Sequence, residues 1–226
     1  MQGLLLVDKP AGWTSFDAVN YVRKIVAQAE DKRPKQVKVG HTGTLDPFAT
    51  GLLVLLVGKE YTKRAGELSK LDKTYEVTMR LGQTSSTGDP EGEIDAVTGK
   101  IPDEKALQRA LKRFTGHIEQ VPPAYSAIKI DGQRAYKLAR AGKEVKIEPR
   151  PVTINRLELT GYTYPEVKLV ADVSSGTYIR SLVEDIGKDL GTGAYTTALY
   201  RRTIGEYSIE KAQKIADITL DKLTKI

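Results

Sequence analysis

The strongest constraint on the fold is the run Leu52–Val57, six consecutive apolar residues closed by Gly58. A run of that kind suits a strand covered on both faces. The chain enters it through VGHTGTLDPFATG, residues 39–51, a segment rich in Gly and Thr with one acid, Asp46, followed at once by Pro47. The glycines permit positive φ or close approach by another backbone, and Pro47 biases Asp46 away from helix. The pattern predicts a rigid, non-helical loop that holds one carboxylate in front of a core strand. An isolated Asp-Pro often only caps a turn, so these residues alone leave Asp46 between a structural and a chemical role.

Around this stretch the chain alternates short strands with amphipathic helices. Residues 3–9 read as a buried strand ending in the turn Pro10-Ala11-Gly12, with Lys9 structural. Ser15 is the expected N-cap, with Asp17 in the first turn, of a helix to about Ala29 whose Val19, Val22, Val26 and Ala29 face the core. Glu30 to Lys38 is a charged connection. In residues 73–81, Tyr75, Val77, Met79 and Leu81 alternate with polar residues, the period of a strand with one covered face. On that pattern Tyr75 is a core tyrosine. Residues 82–92 form a loop. Asp103 caps a helix with Ala106, Leu107, Ala110, Leu111 and Phe114 on its apolar face and Gly116 at C′. Strands follow at about 152–160 and 166–173. A last helix buries Ile179, Leu182, Val183, Ile186 and Leu190 and ends at Gly191, with Arg180 off that stripe.

Composition narrows the chemistry. The 226 residues carry a net charge of +6 and contain no cysteine and only His41 and His117 as histidines. Disulfides, thiolate nucleophiles and Cys-based metal sites are thereby excluded, and a His-rich metal site or a Ser-His-Asp triad has little to draw on. No metal is expected. The basic balance suits a polyanionic partner. Residues 120–151 carry Lys129, Arg134, Lys137, Arg140, Lys143 and Lys146 interleaved with Tyr125 and Tyr136, a mixture suited to phosphates and unstacked bases. The apolar run Leu4–Val7 is too short for a signal peptide, and no stretch is long enough to span a membrane. A cytoplasmic monomer is expected.

GHTGTLDPFATGLL, residues 40–53, resembles the catalytic motif of the TruB family, the synthases that make pseudouridine at position 55 in the T-loop of tRNA. GLLLVDKPAGWTSFDAV resembles that family's N-terminal motif, and Lys73-Thr-Tyr75, Gly176-Thr-Tyr-Ile-Arg180 and ALYRRTIG match later ones. Asp89 and Gly92 fit a further loop motif, but Ser86 stands where the family has an acid, and Tyr200 where an arginine is common. The resemblance runs from about Gly3 to Ala212. Many family members continue into a small RNA-binding PUA domain, for which this chain has no room.

The resemblance implies one catalytic domain, residues 1–226, of the α/β (α+β) class. It would be a large mixed, mainly antiparallel sheet with flanking helices and a central RNA-binding cleft. It implies Asp46 as nucleophile, Arg180 as its ion-pair partner and Tyr75 as the ring presented to the target base. His41 would fill the space that the flipped base leaves, and Leu199 would wall the pocket. Arg201, Tyr125, Lys129, Arg134 and Arg140 would contact RNA, the last four within a gripping loop at about 123–151. The reaction involves no redox change, so no cofactor is expected, and the partner is the T-stem-loop of tRNA. Two other classes compete. A silent RNA-binding module needs no carboxylate facing an arginine. A synthase acting on ribosomal RNA usually carries Arg-Leu-Asp where this chain has Thr44-Leu45-Asp46.

Overall fold

The computed structural model describes residues 1–97, 99, 101–126, 128–130, 132–143 and 145–225. In chain order it contains β1 (Gly3–Lys9), α1 (Ser15–Ala29), β2 (Val39–His41), β3 (Thr50–Val57), α2 (Lys59–Lys63), α3 (Ala65–Ser69) and β4 (Lys73–Leu81). There follow β5 (Gln83–Ser85), β6 (Ile94–Ala96), α4 (Glu104–Arg113), β7 (Gly116–Gln120), β8 (Lys129–Ile130), β9 (Gln133–Arg134) and α5 (Ala135–Arg140). The last elements are β10 (Arg150–Thr163), β11 (Glu166–Val173), α6 (Ile179–Asp189), β12 (Ala194–Ile204), β13 (Tyr207–Ser208) and β14 (Gln213–Lys214). Ten of the strands belong to one mixed, mainly antiparallel sheet, as expected. The chain divides into two compact units, residues 1–75 with 199–226, and residues 76–198.

In the first unit β3 is central. It pairs antiparallel with β1 from Gly3↔Val57 to Lys9↔Gly51. Its other edge takes β2 antiparallel, with His41 opposite Leu55, and the second half of β12 parallel, with Arg201 opposite Gly51. Helix α1 lays Val19, Val22 and Val26 against Leu5, Val7, Leu53 and Leu55. Leu68 of α3 covers the opposite face with Leu4, Leu52, Val54 and Leu56. Successive residues of β3 therefore enter different apolar clusters, and the whole Leu52–Val57 run is buried, as its unbroken hydrophobicity predicts.

Helix α1 starts one residue earlier than expected from Ser15. Thr14 is the N-cap, in a capping box with Asp17, because the Ser15 hydroxyl is committed elsewhere. Ala29 is exposed, and Ala27 takes the buried place.

In the second unit the sheet order is β12–β4–β11–β10–β7, the first half of β12 lying beside β4. The Thr197 hydroxyl donates to the Thr78 carbonyl at 3.2 Å. Val77, Met79 and Leu81 are buried while Glu76 and Arg80 are exposed, the alternation read from the sequence. Asp103 caps α4 through Ala106 N, and Leu107, Ala110 and Leu111 are buried. The helix closes at Phe114, so Gly116, with φ +100°, opens β7 and is one position beyond C′. Helix α6 buries Ile179, Leu182, Val183 and Ile186, and Gly191 ends it in the left-handed region. Arg180, off the apolar stripe, is buried as well. The loop after β4 is not irregular throughout, since β5 and β6 pair as a small hairpin.

Candidate active site

Asp46 lies half-buried in the loop between β2 and β3. Thr42 N donates to Val54 O at the start of this loop, and Ala49 N donates to Asp46 O at its end. Between these points its backbone is fastened from outside. Lys9 is fully buried, and its ammonium donates to the carbonyls of Trp13 at 2.6 Å, Pro10 at 2.9 Å and Pro47 at 3.3 Å. Three protons meet three acceptors, which is how a buried lysine is satisfied. Gly12 N also donates to Pro47 O. The Ser15 hydroxyl accepts from Leu45 N at 2.8 Å and donates to Leu45 O at 3.0 Å. Arg201 donates from Nη2 to Gly43 O at 3.1 Å and from Nε to Leu52 O at 2.8 Å. Gly43, Leu45 and Pro47 are thus held by side chains or backbone of two remote segments, residues 9–15 and Arg201. The carboxylate of Asp46 sits between two of these anchored residues.

Arg201 is therefore not where an RNA contact was expected. It is 1% exposed, and its guanidinium serves the loop's backbone. Lys73 lies nearby: a Cβ added to Gly43 would stand 3.7 Å from Arg201 Nη1 and 3.9 Å from Lys73 Cε. The Lys73 ammonium donates to the carbonyls of Ser69 and Leu71. Burial and the Arg201 charge pull its pKa down to about 8, against a smaller opposing pull from Asp72.

The second unit has its own charged centre. Arg180 Nη1 donates to Asp89 Oδ2 at 3.0 Å and to Thr87 O at 2.8 Å, and Nη2 donates to Tyr125 O at 2.8 Å. Both side chains of the pair are about 5% exposed. Asp89 Oδ1 in turn accepts from the Thr87 hydroxyl and from Glu91 N. The guanidinium fork thus pins the 85–92 loop and the turn at Tyr125 to α6. Glu184 lies one helical turn after Arg180, and desolvation raises its carboxyl pKa. Ser86, where the family has an acid, accepts from Glu93 N through its hydroxyl. The Asp89-x-x-Gly92 spacing was the visible signal for this loop, and it marks the residue that matters there.

The remaining expected residues fall as follows. Tyr75 and Leu199 are each 7% exposed, in β4 and β12 of the first unit. His41 is half-buried at the end of β2. Tyr125 is half-buried, and Lys129, Arg134 and Arg140 are exposed. The Arg140 guanidinium lies 5.9 Å from the Tyr136 ring centroid. Within the expected gripping loop, residues 127, 131 and 144 lie outside the described residues. The described residues hold no His, Cys, Asp and Glu grouping able to take a metal ion.

Comparison with known proteins leads to pseudouridine synthases. Residues 31–179 match the family model described as the TruB family pseudouridylate synthase, N-terminal domain. A protein of Thermobifida fusca named tRNA pseudouridine synthase B is 44% identical over 98% of this chain and 74% of its own length. Its namesake in Pseudomonas aeruginosa is 46% identical over 100% of this chain and 70% of its own. The Burkholderia lata protein of the same name is matched over 65% of its length. Among solved structures, an archaeal box H/ACA sRNP Nop10–Cbf5 complex has a chain with TM-score 0.67 and 25% identity. That match covers 95% of this chain and 52% of the other. The chain belongs to the TruB family of pseudouridylate synthases.

Proposed function

We propose that this chain converts uridine 55 in the T-loop of tRNA to pseudouridine, with Asp46 as nucleophile and both compact units acting as one catalytic domain. The tRNA substrate is taken from the names of the relatives. The observation that carries the assignment of Asp46 is the fastening of its loop at Gly43, Leu45 and Pro47. A carboxylate that must meet one carbon atom gains from such preorganisation, and a turn cap does not need it.

In the reaction the C1′–N1 bond breaks, the uracil turns, and C1′ bonds to C5. The proton on C5 leaves and N1 gains one, so electrons balance without a cofactor. The Asp46 carboxylate attacks C6 of uracil or C1′ of the ribose and is released when the product forms. A base in a folded loop must first be flipped out of its stack. Tyr75 stacks on it and its phenol moves the C5 proton, Leu199 forms wall, and His41 takes the vacated place in the RNA. Arg180 keeps the Asp46 carboxylate ionised. Tyr125, Lys129, Arg134 and Arg140 grip the RNA backbone. Arg201 acts one step back, through Gly43 and Leu52.

The test is incubation of unmodified tRNA with the protein, followed by mapping of pseudouridine at nucleotide resolution. Modification confined to position 55, and lost in Asp46→Asn with RNA binding and circular dichroism retained, is the expected result. Turnover by Asp46→Asn near the wild-type rate removes Asp46 from the chemistry.

A further inference from the structure

The connection Glu30–Lys38 has no part in the mechanism above, yet it builds one wall of a groove. Helix α1 supplies the other wall through Asn20, Arg23 and Lys24, and Lys35, Val37 and Lys38 face them across a cavity of about 440 Å³. A second cavity of about 420 Å³ shares Asn20 and Lys24 and continues along α1 to Trp13, Tyr21 and Gly12. Four cations, Arg23, Lys24, Lys35 and Lys38, line the first cavity, which has no acid on its walls. The one carboxylate of the second, Asp17, is spent on the Thr14 backbone N–H and hydroxyl. Lys24, Lys35 and Lys38 are exposed, and among the described residues no ion pair holds them.

Arg23 is arranged differently. It donates to Asn20 Oδ1 at 2.5 Å, and its guanidinium lies 5.7 Å from the ring centroid of Phe16, which is 59% exposed. At the other end Trp13 and Tyr21 meet edge to face, 5.8 Å between centroids. Trp13 and Tyr21 are half-buried at the second cavity and Phe16 lies beside Arg23 outside both linings; cations beside partly exposed aromatic rings are the composition of a single-stranded nucleic-acid surface. A flat patch for an anionic lipid or a charge-only contact needs no groove and no aromatic rings along it. The groove also borders the nucleophile loop. Ser15 of α1 bonds Leu45, Arg23 reaches the Val39 carbonyl, and Lys38 is three residues before His41, about 10 Å along an extended chain.

We propose that this groove between α1 and residues 34–39 is a second RNA-contact surface, which holds the phosphate backbone of the substrate beyond the nucleotide presented to Asp46. The proposal rests on the reading of the chain as a tRNA pseudouridine synthase. It assigns to the first unit a share of RNA affinity independent of the gripping segment at 123–151.

The test uses a variant in which Lys24→Gln, Lys35→Gln and Lys38→Gln are combined, three exposed residues outside the catalytic machinery. Binding is titrated against salt with a T-arm hairpin whose target uridine is replaced by cytidine, so that it is read without turnover. Each lost phosphate contact lowers the slope of log K against log salt by about 0.7–0.9. The expected result is a slope smaller by about 2 and a Kd raised about tenfold near 100 mM salt, with melting temperature unchanged. On the natural hairpin, KM should rise similarly and kcat stay within about twofold. An unchanged slope and Kd overturn the proposal, as does a loss confined to kcat. If the wild type binds hairpin with the full slope but never forms pseudouridine, the functional reading falls and the groove stands.

Discussion

A buried arginine needs a counter-charge, and Arg180 has one in Asp89, with both side chains about 5% exposed. Replacing Asp89 by Asn keeps the shape but leaves a desolvated guanidinium facing a neutral amide. Breaking a buried pair from one side typically costs about 3–5 kcal/mol. A fall of roughly 3 kcal/mol in the urea-unfolding free energy of Asp89→Asn is the expected outcome. A change under about 1 kcal/mol means that Arg180's other partners, the Thr87 and Tyr125 carbonyls among them, suffice for it. Lys73 tests buried charge by pH. Its pKa stands at about 8 in the folded chain, below the ordinary 10.5 of an unfolded lysine. Between those values the unfolded chain binds more protons than the folded one, so stability attributable to Lys73 rises with pH there. Below about pH 8 its burial is a penalty in full. Wild type should therefore gain on Lys73→Met by ~1–3 kcal/mol from pH 7.5 to 10.5, partly screened by nearby solvent. Unfolding midpoints of both proteins at the two pH values check it, and parallel curves would remove the charge from the account.

Among the elements, the parallel contact of β3 with β12 is the most exacting. Gly51 has φ +99°, and a Cβ there would fall 2.4 Å from Arg201 O and 2.8 Å from Arg201 N. Neither atom can yield without moving a strand. Gly51→Ala should thus destabilise by about 2–4 kcal/mol, and because Arg201 also holds Gly43 and Leu52, residual activity should fall further than stability alone explains. Thermal melting beside single-turnover rates at low temperature separates the two effects. A full-rate, fully stable Gly51→Ala would mean that the contact has slack. Strand β3 itself was legible in advance, since six apolar residues in a row need two covered faces. So were β1, β4 and α6, whose periods match their burial. Arg180 was not, because helical periodicity sees only the side chain's polarity and not the loop folded over it. Lys9 and Arg201 give the same lesson at the nucleophile loop. Their fastening of Gly43 and Pro47 is made to backbone carbonyls, and carbonyl acceptors leave no trace in residue type. Ser15 has the sequence context of a helix cap, and its partner, the Leu45 backbone, is thirty positions away.

At the scale of the whole molecule, the first unit is assembled from the two ends of the described chain. Residues 1–75 supply β1, β2, β3 and the nucleophile loop, while residues 199–226 return to complete the same unit. Tyr200 and Arg201 pair with Thr50 and Gly51, Gln213 pairs with Val7, and Thr224 bridges Leu4. Contacts of such long separation form late, after the loop-closure entropy of the intervening residues has been overcome. Synthesis on the ribosome adds an order of events. Residues 76–198 form a compact unit of contiguous chain, which can begin to condense while the chain is still growing. The aspartate loop emerges early yet lacks the guanidinium that grips Gly43 and Leu52 until some 150 further residues have left the tunnel. A nascent or truncated chain therefore carries its acid on a loop held at Leu45 and Pro47 alone, by Ser15 and Lys9 that precede it, and the fastening at Gly43 waits for Arg201.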